Sequence, residues 1–294
     1  MRLGHNSNRW RICPWVGALL AIVVVSQPAQ AQVFSRTMGG VADAIKNIVD
    51  LKPSDATNWH LGVGPFVSPA FEGSKDYKVR PAPLISVRYR DILRVDNNNI
   101  DFTAFDQVFD MGEGLGAAKF EAGPVMNLDF GRSENDSPAL KGLGNVGFAL
   151  EAGGFVAFKV GPAKIDIEIS QSITGGHSGA TADFHTAFIL YQNDTWAVSA
   201  DAVLTWATAR YMKSFFGITG TQAKASGLPV FRAGSGLKNG TLSLLANYTI
   251  SPSWSIVTGV SYKRLMSGAA DSPLVKLRGS ANQMTGNSFV VYTF

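Results

Sequence analysis

The chain has 294 residues, 46% of them apolar and only 16% charged, with a formal net charge of +4. That apolar content excludes a disordered chain, and the lack of any run of ~18 apolar residues excludes a helical membrane protein. What remains is a β-rich protein, soluble or barrel-shaped, with ample length for a large core.

Residues 1–31 read as a secretory signal peptide. Arg2, Arg9 and Arg11 form a basic start, Val16 to Val25 an apolar centre, and Ala29-Gln30-Ala31 a small-x-small cleavage site. Ten apolar residues at ~1.5 Å each cannot cross a ~30 Å hydrocarbon layer, so the segment is a signal and not an anchor. Cys13, the single cysteine, leaves with it, and the exported chain is held without disulfides. Losing the three arginines leaves basic and acidic residues almost in balance. There is no basic patch of the kind nucleic acid needs, so nucleic acid is not an expected partner.

Residues 32–57 form an N-terminal segment with a short amphipathic helix over 38–50, where Val41, Ala44, Ile45, Ile48 and Val49 share one stripe. The helix packs on the rim of the main domain, lies in a membrane interface, or meets a partner. Lys52-Pro53-Ser54 is a linker, and 58–294 is the main domain.

From Trp59 onward the period is two. In 146–158, Val146, Phe148, Leu150, Ala152, Gly154, Val156 and Phe158 share one face, against Asn145, Gly147, Ala149, Glu151 and Gly153. The same alternation marks 120–130 and 196–206, and weaker copies run through 163–173, 182–192, 241–250 and 254–264. This is the pattern of a sheet. It predicts strands near 58–68, 82–90, 92–105, 117–130, 145–158, 163–173, 182–192, 195–207, 229–235, 240–250, 253–265 and 285–294. Twelve is an even number, as bacterial single-chain barrels require; ten or fourteen also fit. With these boundaries the long connections 69–81, 106–116, 131–144, 208–228 and 266–284 do not all fall on one side.

Aromatic spacing separates a membrane barrel from a soluble sandwich. Phe120/Phe130, Phe148/Phe158 and Trp196/Trp206 are pairs on the apolar parity, each ten residues apart. Ten residues at ~3.3 Å, tilted by ~40°, rise roughly 25 Å, the height between the two aromatic girdles of an outer-membrane barrel. Soluble strands average five or six residues. The expected fold is therefore an all-β, antiparallel transmembrane barrel in contact with outer-membrane lipid. Tyr292 and Phe294 end the chain on the apolar face, as a C-terminal assembly signal.

Few residues carry chemistry. Gly142-Leu-Gly144-Asn-Val-Gly147 spells GxGxxG, but a loop precedes it and a strand follows, so its glycines serve a turn and not a dinucleotide. His177-Ser178 are adjacent and point apart, which is poor geometry for an activated serine. His60, His177 and His185 lack ligand-like spacing. No catalytic, cofactor or metal residues are assigned. The polar parity holds Arg88, Arg90, Glu121, Glu151, Lys164, Asp166, Glu168, Asp183, His185, Asp201 and Lys263, which face the interior of a barrel. Their mixed signs favour a paired network filling a narrow lumen over a selective pore lining.

Several stretches resemble the MipA/OmpV family of Gram-negative outer-membrane proteins. They are Pro69-Ala-Phe-Glu-Gly-Ser-Lys-Asp-Tyr77 with Pro81-Ala-Pro-Leu84, Leu140-Lys-Gly-Leu-Gly144, Glu151-Ala-Gly-Gly-Phe155 and Gly175-Gly-His-Ser-Gly179. Tyr211-Met-Lys-Ser-Phe-Phe-Gly217, Ala225-Ser-Gly-Leu-Pro-Val230, Ala233-Gly-Ser-Gly-Leu-Lys238, Tyr262-Lys-Arg-Leu265 and Ala269-Ala-Asp-Ser-Pro273 continue the match in order. One departure is Thr208-Ala209-Arg210, where the family tends to be acidic. The resemblance implies an outer-membrane barrel without enzymatic activity. It further implies a scaffold that brings a murein lytic transglycosylase together with a penicillin-binding protein; other members are osmotically responsive barrels or adhesins. A narrow porin-like channel is the alternative from a different class. Neither the resemblance nor the residues fix the oligomeric state.

Overall fold

The computed structural model describes residues 57–112 and 116–294. The expected signal peptide and the helix over 38–50 lie outside the described residues. Thirteen strands follow one another: β1 Thr57–Pro69, β2 Tyr77–Tyr89, β3 Leu93–Asp96, β4 Asn99–Phe102, β5 Phe105–Asp110, β6 Ala117–Asp129 and β7 Ala149–Val160. Then come β8 Ala163–Ser172, β9 Ala180–Gln192, β10 Trp196–Ala207, β11 Gly236–Ser251, β12 Trp254–Leu265 and β13 Asn282–Thr293. Neighbours pair antiparallel, β13 returns to β1, and β4 pairs with β6 to close the ring. β4 and β5 both lie along β6, at Val125–Asn127 and Ala117–Ala122, so they are two halves of one interrupted strand. The barrel is twelve-stranded.

Polarity in this barrel is inside out. On β8, Ile165, Ile167 and Ile169 are exposed on the outer wall, whereas Lys164, Glu168 and Ser170 are buried within. A sheet that exposes its large aliphatics and buries its charges is stable only where lipid covers the outside. The long strands suit that: β1, β2, β6 and β9 each have 13 residues, enough to cross a hydrocarbon layer at the usual tilt. Among the described residues no helix is long and apolar enough to cross a membrane.

The strand boundaries correct the sequence reading in several places: β2 begins at Tyr77, inside the expected connection 69–81, and β5 occupies the start of the expected connection 106–116. The expected strand 92–105 is a short hairpin, β3–β4, turned at Asn97 with φ of 50°, a conformation that asparagine tolerates. The expected strand 229–235 is not a strand; only Phe231 makes a bridge, to Ile218. The strand expected from 145 begins at Ala149, and Val146 is buried in a loop core instead of facing outward. With these changes the loop parity resolves. Links 70–76, 97–98, 130–148, 173–179, 208–235 and 266–281 share one rim, while the tight turns 90–92, 161–162, 193–195 and 252–253, together with Met111, Gly112 and Gly116, share the other with Thr57 and Thr293.

The β3–β4 hairpin reaches only partway up the wall. Ile85 donates its N–H to Asn97 Oδ1 at 2.9 Å and accepts from Asn97 N at 2.8 Å, so β2 residues of that parity turn their polar backbone away from β1. Pro81 and Pro83 share this parity and lie beyond the hairpin tip, where β2 is paired with β1 alone. Proline removes the N–H that an open edge would otherwise leave without a partner.

Candidate functional site

The site is the barrel interior, and it is built in layers. At the rim of long connections, four links fold into a compact plug. Link 208–235 carries α1 (Ala209–Phe216) and α2 (Gly220–Ser226); link 266–281 carries α3 (Ser267–Asp271) and α4 (Pro273–Arg278). Link 130–148 adds two single 3-10 turns, and link 70–76 dips inward. On α1, Tyr211, Met212, Phe215 and Phe216 are all buried while Lys213 is exposed, an amphipathic spacing that needs an apolar surface to cover it. They pack with Val146, Ala207, Leu265, Ala269 and Val275. A second cluster joins Phe71, Leu140, Leu143, Ile218, Leu228 and Leu274. Fully burying each such side chain contributes about 1.5–3 kcal/mol, so the plug is a folded unit and not a set of loose loops.

Polar contacts sew it together. Thr219 and Gln222 form a reciprocal capping box at the start of α2, and Gly227 ends the helix at φ of 75°. The Arg278 guanidinium donates to the carbonyls of Ala139, at 3.1 Å, and of Ser226, joining three links. Arg132 donates from Nη1 to the Phe215 carbonyl at 2.7 Å. Burial pushes the Arg132 guanidinium down to about 10, with Asp136 opposing.

Two ionic clusters fasten the plug to the wall. Glu72 reaches down from link 70–76 to the Nζ atoms of Lys238 at 3.1 Å and Lys263 at 3.0 Å. Burial works against its charge, but the two ammoniums outweigh it and hold the carboxyl at about 2. Lys238 also lies 5.1 Å over the Tyr211 ring. On the other side, His177 is wedged between wall and plug, its ring 4.7 Å from Tyr211 and 5.8 Å from Phe215. Its Nε2 lies 3.1 Å from Glu151 Oε1 and 3.5 Å from Asp129 Oδ2.

Asp129, Glu151 and His177 are the one set of buried donors among the described residues close enough to hold a metal ion. The hydrogen bonding argues against it. His177 Nδ1 accepts from Gly179 N at 3.1 Å, so in the neutral ring Nε2 carries the proton on the side of the two carboxylates, where neither nearby oxygen completes a hydrogen bond with it. A metal would need that nitrogen bare. Ser178, at φ of 51°, is exposed while His177 is buried, so the two side chains diverge as their adjacency predicts.

Below the plug the lumen is filled by paired polar groups. Lys164 Nζ lies 3.1 Å from Asp166, which lies 2.9 Å from His185 Nδ1; His185 Nε2 is 3.3 Å from Asp201. Asp183 accepts from Thr205 Oγ1 at 2.5 Å. Glu168 accepts from Asn127, which in turn accepts from Asn99, both at 2.7 Å. Near the short-turn rim, Glu121 meets Lys159 at 3.0 Å, Lys119 at 3.1 Å and Arg94 at 3.7 Å. An apolar cluster of Phe66, Leu84, Leu245, Val257 and Phe289 fills the side formed by β1, β2 and β11–β13.

Of the residues read as interior, Arg88, Glu121, Glu151, Lys164, Glu168, Asp183, Asp201 and Lys263 are buried, with Asp166 and His185 beside them. Arg90 is a correction. It lies past the end of β2, exposed, in the turn 90–92 at φ of 52°, with its guanidinium 5.4 Å over the Tyr89 ring. Turn sterics, not strand alternation, aim it. Lys119 and Lys159 escaped the sequence reading, although they share the parity of Glu121 and Glu151. Glu72 also escaped it, whereas Asp129 lies on the polar face of its strand as the alternation over 120–130 predicts.

On the outer wall, Phe120 stands opposite Phe158 in the β6–β7 ladder, and Phe130 lies 5.9 Å from Phe148 at the other end of that strand pair. Trp196 packs 4.8 Å from Tyr248 near the short-turn rim, and Trp206 is exposed near the opposite one. Tyr292 lies 4.9 Å from Trp254 and 4.7 Å from Phe294, and the Phe294 N–H donates to the Trp59 carbonyl at 3.0 Å.

The family model for MltA-interacting protein MipA matches residues 61–294. No curated protein sequence matches the chain. Among solved structures, the COG4313 outer membrane channel from Pseudomonas putida F1 aligns at a TM-score of 0.39 and 11% identity, over 85% of this chain and 98% of that one. The translocator domain of autotransporter NalP from Neisseria meningitidis aligns at 0.35 and 12%, over 90% and 96%. The outer membrane protein OprD from Pseudomonas aeruginosa aligns at 0.33 and 8%, over 85% and 97%.

Proposed function

Because the chain belongs to the MipA family, we propose that this outer-membrane barrel is a sealed anchor and interaction protein for murein metabolism. Its rim of tight turns faces the periplasm, as short turns do in bacterial barrels. From there it holds a murein lytic transglycosylase beside a penicillin-binding protein, so that cleavage and synthesis of the wall occur together. The family takes its name from an MltA-interacting protein, and that name supports the choice of partner.

The observation that supports this reading is how densely the barrel interior is packed. A diffusion channel needs a continuous wet path, and here the plug core caps the interior while ion pairs and an apolar cluster fill it. A barrel that does not conduct acts through its surfaces. The experiment is co-purification of the tagged barrel from cross-linked envelopes. Recovery of a murein transglycosylase and a penicillin-binding protein supports the role, and recovery of neither removes it. Adhesion by the outer face of the plug is the second reading, favoured by the concentration of the longest connections on that rim. Binding of the barrel to host or environmental surfaces, lost on altering α2, would support it.

A further inference from the structure

We infer that the tight-turn mouth of the barrel contains a binding cleft for a polar ligand bearing oxyanions, carboxylate or phosphate. The cleft is small, opens to solvent and lies beside the turn 90–92, with room for the head group of such a ligand. Arg88, Arg90, Arg94, Lys119 and Lys159 line it against only Asp91 and Glu121. Five cations converge from β2, β3, β6, β7 and the turn, and the lining carries an excess of three positive charges. Asp101 and Asp106 stand behind it, 3.9 Å from Arg94 and 3.7 Å from Lys119. Leu93 is the one wholly apolar side chain of the wall, which excludes a lipid tail as the main occupant and selects a hydrophilic acid.

Arg90 marks the entrance. It makes no ion pair among the described residues, its one charge contact being the Tyr89 ring. Its backbone is left-handed at φ of 52°, a conformation that is costly for arginine and common for asparagine or glycine. An unneutralised guanidinium held in an unfavourable backbone at the edge of a cationic cleft is placed to accept a bidentate carboxylate or phosphate. Lys119 and Lys159 are already shared with Glu121, so they tune the field, and Arg90 supplies the free donor. This inference does not depend on the murein partners.

The test is calorimetric titration of the full-length barrel in zwitterionic detergent at low salt, with citrate and with pyrophosphate as probes. One saturable site is expected, weakening with added salt. Arg90→Asn suits the left-handed backbone while removing the charge, and weakens binding about tenfold; Arg90→Lys restores most of it. Heat-modifiable migration of both variants on gels establishes that the barrel is intact. Citrate alone binding identifies a carboxylate ligand such as an acidic peptide, pyrophosphate alone a phosphate-bearing one, and both a general oxyanion site. No saturable binding, or binding that Arg90→Asn leaves unchanged, overturns the proposal.

Discussion

The Glu72 carboxylate lies 3.0 Å from the Lys263 ammonium, and through this contact a loop descending from the plug is pinned to the inner wall of β12. Lys238 of β11 completes the cluster at 3.1 Å. A buried carboxylate between two buried ammoniums is a lock whose strength depends on pH.

Glu72 is held at about 2 in the folded protein, against an unfolded value of ~4.3. A depressed carboxylate stabilises fully above its unfolded value, and that contribution disappears as pH falls from about 4.5 toward 2, roughly 3 kcal/mol in all. Past Cys13 the chain has no cysteine, so a fluorophore on Lys213→Cys, exposed on α1, reports the plug alone. Its environment is expected to change across that acid window and return on neutralisation. Glu72→Gln, which strands two buried ammoniums, should loosen the plug already at pH 7 by about 3–5 kcal/mol. A plug signal flat down to pH 2 would refute the lock.

Gly179 sits beneath α1, where an added Cβ would lie 2.3 Å from Tyr211 N. No flexible side chain can yield there, because the obstacle is backbone. Gly179→Ala should push α1 off its seat and destabilise the plug by about 1–3 kcal/mol, while the strands and their heat-modifiable migration persist. Limited proteolysis at neutral pH measures this, with faster cleavage in 208–235 expected.

Pro81 and Pro83 guard the part of β2 that lies beyond the β3–β4 hairpin. Replacing both with valine returns two N–H donors to an open edge in the wall, the arrangement that promotes edge-to-edge pairing. Light scattering of the detergent-solubilised variant should reveal added dimer relative to the parent protein. An unchanged mass would mean that the edge is already covered by other means.

Much of the wall was legible because a strand with lipid on one side and a lumen on the other must alternate. Phe120 to Phe130 and Trp196 to Trp206 display that constraint directly. The strand number emerged correctly through two offsetting errors. Asp96-Asn-Asn-Asn99 is a turn signal, yet β3 and β4 are only four residues each, too short to register as separate alternating runs. Pro229 to Ser235 alternates, but Phe231 and Ala233 serve the plug core, a packing reason unrelated to a sheet. The plug itself had a helical signal, Tyr211, Met212, Phe215 and Phe216 on one face, inside a stretch read only as a connection. Glu72 and His177 could not be placed because their partners, Lys263 and Glu151, are distant in sequence and meet only when the barrel closes.

Single-channel recording in planar bilayers tests the central claim most directly. A barrel capped by its plug and filled by its ion-paired lumen should insert without steady conductance steps at neutral pH. Stable, ohmic openings of the native chain under those conditions would contradict the sealed anchor and reinstate a diffusion pore.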